Sequence, residues 1–430
     1  MTDAPPRPVS LLRGATLPDG STADVAIAGG VVTAVVPAGH GAAEAAGADG
    51  EVLDLTGYVL LTAPAEPHAH LDKARSFELI GPPLGDLGSA IDAWREYAAT
   101  MSVESIADRA RAQVLEMLAL GTTAIRTHVD VLSGDGSATV EEATRGTRAL
   151  VAVRDELAPL VDLELVALAG PLCPDAHVEA VLDLGVDAVG GAPHLADDPL
   201  ADLDRLLAIA SRRGLPVDLH TDESLDGPVT LDAYARAVRD WPRDRQYSAG
   251  HCVRLGTLPA DERDRVVAEV AASDLGIITL PITNLYLQGW DAPVGTPRGL
   301  TALRSLLDAG VRVAAGADNV RDPFNPVGRG DALETASLLV TAGHLSPAEA
   351  YALVSDGARS VLGLPAAGPR PGARAELLAV RGASLADVVA TASPDRVVIH
   401  RGRVVARTTL TTTVATVPAA SAVREPAPVG

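Results

Sequence analysis

His68-Ala-His70 sets two imidazoles one residue apart. On a β-strand such a pair faces one side, and neutral imidazole ligates zinc, iron and similar divalent metals. Alone, the pair fits two core or surface histidines equally well. The ends of other apolar runs change that reading. His220 lies near the end of PVDLHTDE (216–223), His251 near the end of QYSAGHCV (246–253), and Asp318 near the end of VRVAAGADN (311–319). Ten histidines in 430 residues give little reason for such placement by chance. His68, His70, His220 and Asp318 form a four-donor set that leaves room for water, as a catalytic metal requires. Glu223, three residues after His220, is a carboxylate within reach to move protons. Without that neighbour it would read as a solvated acid opening a helix.

These side chains need elements to bring them together. Eight β-branched or apolar runs alternate with amphipathic Ala/Leu/Arg-rich segments: 58–70, 123–131, 163–170, 188–194, 216–223, 246–253, 276–283 and 311–319. Near-continuous apolar strands separated by helices indicate a parallel sheet covered by helices. The segments 103–121, 200–214 and 299–310 read as helices, each ending in glycine. A doubly wound open sheet would show the same alternation. The polar residues at the strand ends favour a (β/α)8 barrel, which builds its sites at the C-terminal ends of its strands. The expected fold is α/β, a TIM-type barrel over 58–365. A small β-sandwich domain is expected from both termini, residues 1–57 and 366–412, with a flexible tail at 413–430.

Composition narrows the function. Hydrophobic residues at 47% and charged residues at 21% exclude wholesale disorder. A net charge of −21 excludes binding to nucleic acid or anionic membrane through bulk charge. Cys173 and Cys252 are too few for a disulfide framework or a four-thiolate zinc site. No run of about 18 apolar residues and no secretion leader is present, so a soluble cytoplasmic protein is expected. Arginine has displaced lysine everywhere except at Lys73.

The stretches EPHAHLDK (66–73), RTHVDV (126–131), GAPH (191–194), DLHTDE (218–223) and SAGHC (248–252) occur in this order. TNLYLQG (283–289), PRGLT (297–301) and GADNVRDPFNPVG (316–328) follow. Together they resemble the amidohydrolase superfamily, in its cytosine-deaminase-like branch, across essentially the whole chain. The HLDK variant is similar to that of the N-isopropylammelide amidohydrolases. The resemblance implies His68, His70, His220 and Asp318 as metal ligands, Glu223 as proton shuttle, and His251 as the group that orients the nucleophile. It implies one divalent ion, Zn2+ or Fe2+, per subunit, because no barrel strand carries the lysine that bridges two metals in binuclear members. It also implies a small-molecule substrate and, in a fold that often associates, a homo-oligomer.

Substrate-binding candidates are Lys73, His194, Cys173, Gln288, Asn319 and Phe324. His128 and His194 are expected to line the pocket or support the ligands, and Asp130 to orient a neighbouring histidine. Trp94, Phe77, Tyr286, Trp290 and Phe324 fall near pocket loops and could stack on a planar ring. Two departures bear on the substrate. Cytosine deaminases carry a glutamine after the third strand, whereas VALAGPLCPD (166–175) has none, and Asn319 stands where they have an acid. Because unpaired polar edges are costly to bury, cytosine is expected to be a poor substrate. The expected activity is metal-dependent hydrolytic deamination of a small nitrogen heterocycle. The alternatives are ring opening of a cyclic amide and, against the retained acid–base residues, a catalytically dead paralogue.

Overall fold

A computed structural model describes residues 6–41, 50–133 and 136–415 of the chain. The tail expected at 413–430 lies mostly outside them. Eight parallel strands, each paired with its sequence neighbour, form one sheet. They are β1 (Ala65–Ala69), β2 (Ala124–Val131), β3 (Asp162–Ala169) and β4 (Ala188–Gly191), then β5 (Val217–Thr221), β6 (Tyr247–His251), β7 (Gly276–Thr279) and β8 (Val313–Ala315). The sheet curls until β1 and β8 meet through a single parallel bridge, Ala69 to Asp318. The chain therefore forms the expected barrel.

Helices cover the outside because their sequences offer one apolar face each. Val103–Ala119 buries Ile106, Ala110, Val114 and Met117, spaced at helical intervals, and Ser102 caps its start. Pro199–Arg213 begins with Asp198 as its cap and ends at Gly214 in the left-handed conformation. The TNLYLQG stretch is largely helical: Pro281 opens a short helix, Pro281–Leu287. Proline at a first helical position already has the required φ and lacks only an N–H that would be unpaired anyway.

The terminal segments build a second sheet, also of eight strands. Its order is Arg403–Thr408, Arg396–His400, Leu377–Arg381, Tyr58–Thr62, Val9–Thr16, Thr22–Ala28 and Val31–Pro37, with Glu51–Asp54 paired to Val9–Thr16. The strands expected as a sandwich are thus hydrogen-bonded into one sheet, which encloses a core of Leu12, Val25, Leu60, Leu377 and Ile399. The run 58–70, read as one barrel strand, is two. Tyr58–Thr62 pairs antiparallel with Leu377–Arg381, and the chain enters the barrel only at Ala65. Period-two alternation explains how this strand serves both bodies. Leu60 joins the terminal core, while Val59 and Leu61 join the barrel core with Leu378 and Val398. Arg396 fastens the two bodies, giving Asp331 two hydrogen bonds (2.9 and 2.7 Å) and the Leu120 carbonyl a third (2.6 Å). Among the described residues no helix is long and apolar enough to cross a membrane.

Candidate active site

The C-terminal ends of the strands converge on a cavity of about 600 Å³. At its floor, Nε2 of His220 lies 3.3 Å from Nε2 of His68 and 3.1 Å from Nε2 of His70. Oδ1 of Asp318 lies 3.3 Å from Nε2 of His70 and 4.0 Å from Nε2 of His68. The four donors expected as metal ligands therefore face one point. Local backbone makes this possible. Asp318 and His251 take positive φ (59° and 66°) as their strands end, turning each side chain inward. Gly250 leaves room for the His68 ring, since a Cβ there would sit 2.9 Å from its Cε1.

The donor set fits a divalent cation. Ligands bound at about 2.0–2.1 Å in a zinc shell lie about 3.3 Å apart; neighbouring donors of the set are 3.1–4.0 Å apart, and donor atoms of His128 and of His251 also come within 4.8 Å of His68 together with His220 or Asp318. Both Asp318 oxygens are buried with no hydrogen-bond partner, an arrangement that is costly unless another group satisfies them. Burial, reinforced by neighbouring positive groups, holds His68, His70 and His220 far below the usual imidazole range, so each offers a lone pair. Burial also pushes the Asp318 carboxyl far up, with Glu223, Asp322 and Glu66 adding to it. A cation among these atoms would offset that penalty.

Glu223 and His251 stand beside this set. Oε1 of Glu223 lies 3.2 Å from Nδ1 of His251, which also lies 3.1 Å from Nδ2 of Asn284. Burial pushes the Glu223 carboxyl up to about 8, so it can hold or release a proton near neutral pH. Nε2 of His251 is buried, unpaired, and 4.0 Å from Oδ2 of Asp318. His70, His220, Glu223, His251 and Asp318 all line the cavity.

Lys73, Asn319 and Phe324 line it too, with Trp94 and Asp130. Lys73 donates to Oδ1 of Asp130 (2.9 Å) and lies between the rings of Trp94 and Phe324, 5.6 and 5.5 Å from their centres. Asp130 thus acts on His70 through Lys73, not directly. The other three substrate-binding candidates are not on the cavity wall. His194 sets Nδ1 3.2 Å from the His220 carbonyl and so supports β5. Gln288 donates to the Glu223 carbonyl (2.7 Å), fixing the backbone of the acid. Cys173 is buried beneath the third loop, where burial pushes its thiol up to about 12. Phe77, Tyr286 and Trp290 also stand off the wall.

A polar layer below the ligands was not anticipated. Arg126, fully buried, forks onto Glu164 (3.1 Å twice) and donates to Asp218 and Ser248 (3.1 Å each). Asp218 approaches Nε2 of His128 (3.5 Å), and the His128 ring rests on that of His68 with centres 4.0 Å apart. The parity of the strands carried this signal: Arg126 and Asp218 lie two residues before His128 and His220, on the same inward face.

The amidohydrolase family model, Amidohydro_3, matches residues 103–406. A pterin deaminase of Rhizobium rhizogenes is 33% identical over 398 residues, covering 90% of this chain and 88% of that protein. The 5-methylcytosine deaminase of Klebsiella pneumoniae, liganded with 5-fluorocytosine, superposes with a TM-score of 0.82 at 24% identity, covering 94% of this chain and 99% of that one. The N-isopropylammelide isopropylaminohydrolase of Burkholderia multivorans gives 0.75 at 28% identity, covering 92% and 98%.

Proposed function

The chain belongs to the amidohydrolase family, and from that premise we propose that it hydrolytically removes an amino group from a nitrogen heterocycle. His68, His70, His220 and Asp318 would hold one divalent ion, zinc or ferrous iron, which supplies Lewis acidity and a nucleophilic water at neutral pH. The observation that carries the reading is the meeting, on one cavity floor, of these four donors with a buried acid and a buried histidine.

The protein's own residues then account for the proton traffic. Glu223 takes a proton from water as its oxygen adds to the ring carbon bearing the amino group. It returns that proton to the departing nitrogen, which leaves as ammonia, and the proton of the added hydroxyl passes to the ring nitrogen as the ring carbonyl forms. His251, held by Glu223 and Asn284, directs Nε2 towards the Asp318 side of the floor and polarises the reacting centre. Trp94 and Phe324 contribute to the cavity wall, with Lys73 over their rings. A cavity of about 600 Å³ has room for more than a single pyrimidine ring, which favours a fused bicyclic substrate of the kind the pterin deaminase's name describes.

The test is an ammonia-release screen with cytosine, isocytosine, pterin and aminotriazines, using metal-loaded wild type and the Glu223→Gln variant. Ammonia from wild type, with a rate about 10²–10⁴-fold lower in the variant, is the expected result. A ring-opened carboxylate without ammonia, or equal rates in the two proteins, would overturn the proposal.

A further inference from the structure

β1 and β8 are the two ends of the barrel sheet, and among the described residues no regular ladder joins them. Only the Ala69–Asp318 bridge does so. Yet β1 leads to His68 and His70, and β8 leads to Asp318. The spacing of these ligands thus depends on a seam with one bridge at the strand ends, beyond which the Arg75 N–H donates to the Val320 carbonyl (2.9 Å) and the Phe77 N–H to the Arg321 carbonyl (2.8 Å). A side chain fills the gap. Glu66, 6% exposed, accepts the His68 N–H through Oε1 (3.1 Å) and the Ala317 N–H through Oε2 (2.8 Å). One carboxylate thereby spans both ligand-bearing segments, taking the part that a strand ladder plays elsewhere in the sheet.

The opposite strand is shaped to admit it. A Cβ on Gly316 would lie 2.2 Å from Oε1 of Glu66, so only glycine lets the carboxylate reach across. Two acceptor oxygens on one rigid plane fix a distance as well as a contact.

We propose that Glu66 is a positioning residue that sets His68 and His70 against Asp318 across the open seam of the barrel, and so determines how tightly the site grips its ion. This rests on the metal reading above. Glu66 is not on the cavity wall and acts through the backbone of the ligand-bearing segments. Supporting groups of this kind usually change metal affinity by about 10–100-fold when altered.

The test compares wild type, Glu66→Gln and Gly316→Ala by zinc affinity, measured by chelator competition, and by melting temperature with and without zinc. The glutamine keeps the size but turns one acceptor into a donor; the alanine displaces the carboxylate from the other side. Both should bind zinc about 10–100-fold more weakly, and the gap between zinc-loaded and zinc-free melting temperatures should shrink. Glu66→Gln that binds zinc as wild type does, with both melting temperatures lowered equally, would show a merely structural role and overturn the proposal. Should Glu66→Gln fail to fold, Gly316→Ala decides by the same criteria. Wild type that binds no zinc would bring down the metal reading and this one together; wild-type binding with unchanged variants overturns this one alone.

Discussion

Nζ of Lys73 lies 3.1 Å from Nδ1 of His70. The chain's single lysine therefore backs a proposed metal ligand while also facing the cavity. Its slot explains why arginine has not replaced it: Trp94 and Phe324 flank it, and Asp130 accepts one of its protons. A guanidinium is planar, forked and larger, and cannot occupy the place of a compact ammonium there. Lys73→Met and Lys73→Arg should both lower kcat/KM by about 10–100-fold. Steady-state kinetics on the best substrate checks this, and an arginine variant at wild-type efficiency would sink it.

The Arg126 layer predicts a stability effect larger than any surface change. Burial alone would raise the Asp218 carboxyl, yet His128 and Arg126 hold it below the usual range, so it stays ionised beneath the ligands. Arg126→Leu removes its partner and leaves that charge buried, at a cost of about 3–5 kcal/mol. Glu164→Gln should cost less, because Glu164 is 29% exposed and water can take over part of its solvation. Chemical denaturation of the three proteins measures the order, and equal stability of wild type and Arg126→Leu would refute it.

How much of this was legible depends on the range of the interaction. The candidate ligands, and His251 beside them, were readable as a cluster because strand parity and strand ends are local: His68 with His70, then His220, His251 and Asp318 beside their apolar runs. Tyr58–Thr62 was not, because an apolar run does not say which sheet will pair with it. Its partner lies more than 300 residues away at Leu377–Arg381. His194 was read as a substrate contact because it is polar and close to a strand end, and Gln288 because it belongs to the TNLYLQG stretch that carries the resemblance. Which way each side chain turns depends on carbonyl groups, at Glu223 and His220, that only the folded chain brings near. Glu66 stood inside a quoted motif, but its role requires β8 alongside β1, and sequence spacing does not supply that neighbour.

Removing the ion should affect folding as well as turnover. A ligand that binds only the folded state stabilises it by about 2.7 kcal/mol at a free concentration 100-fold above its dissociation constant. Dialysis against a chelator should abolish ammonia release and lower the melting temperature by several degrees; adding back zinc or ferrous iron should restore both. An unchanged melting curve and full activity in demonstrably metal-free protein would contradict the assignment of His68, His70, His220 and Asp318.

Substrate choice follows from what the wall lacks. Leu168, Gly170 and Pro171 form the cavity side after β3, and none offers a side-chain amide to pair with the edge of a pyrimidine. Asn319 gives one Nδ2–H to Oδ2 of Asp322 (2.8 Å), which fixes its amide and leaves a different donor and acceptor pattern from the acid that cytosine deaminases have there. Cytosine would thus lose the paired contacts that a glutamine there supplies, and a pocket without such partners disfavours a polar group by about 10²-fold. A bicyclic aminoheterocycle fills more of the cavity. We expect kcat/KM for pterin to exceed that for cytosine by at least about 10²-fold, since even one or two lost hydrogen bonds cost about 1–3 kcal/mol each. Competing the two substrates in one reaction, with products separated by chromatography, measures the ratio directly. Cytosine consumed first would mean that another group reads its edge and that the missing glutamine is not what sets the preference.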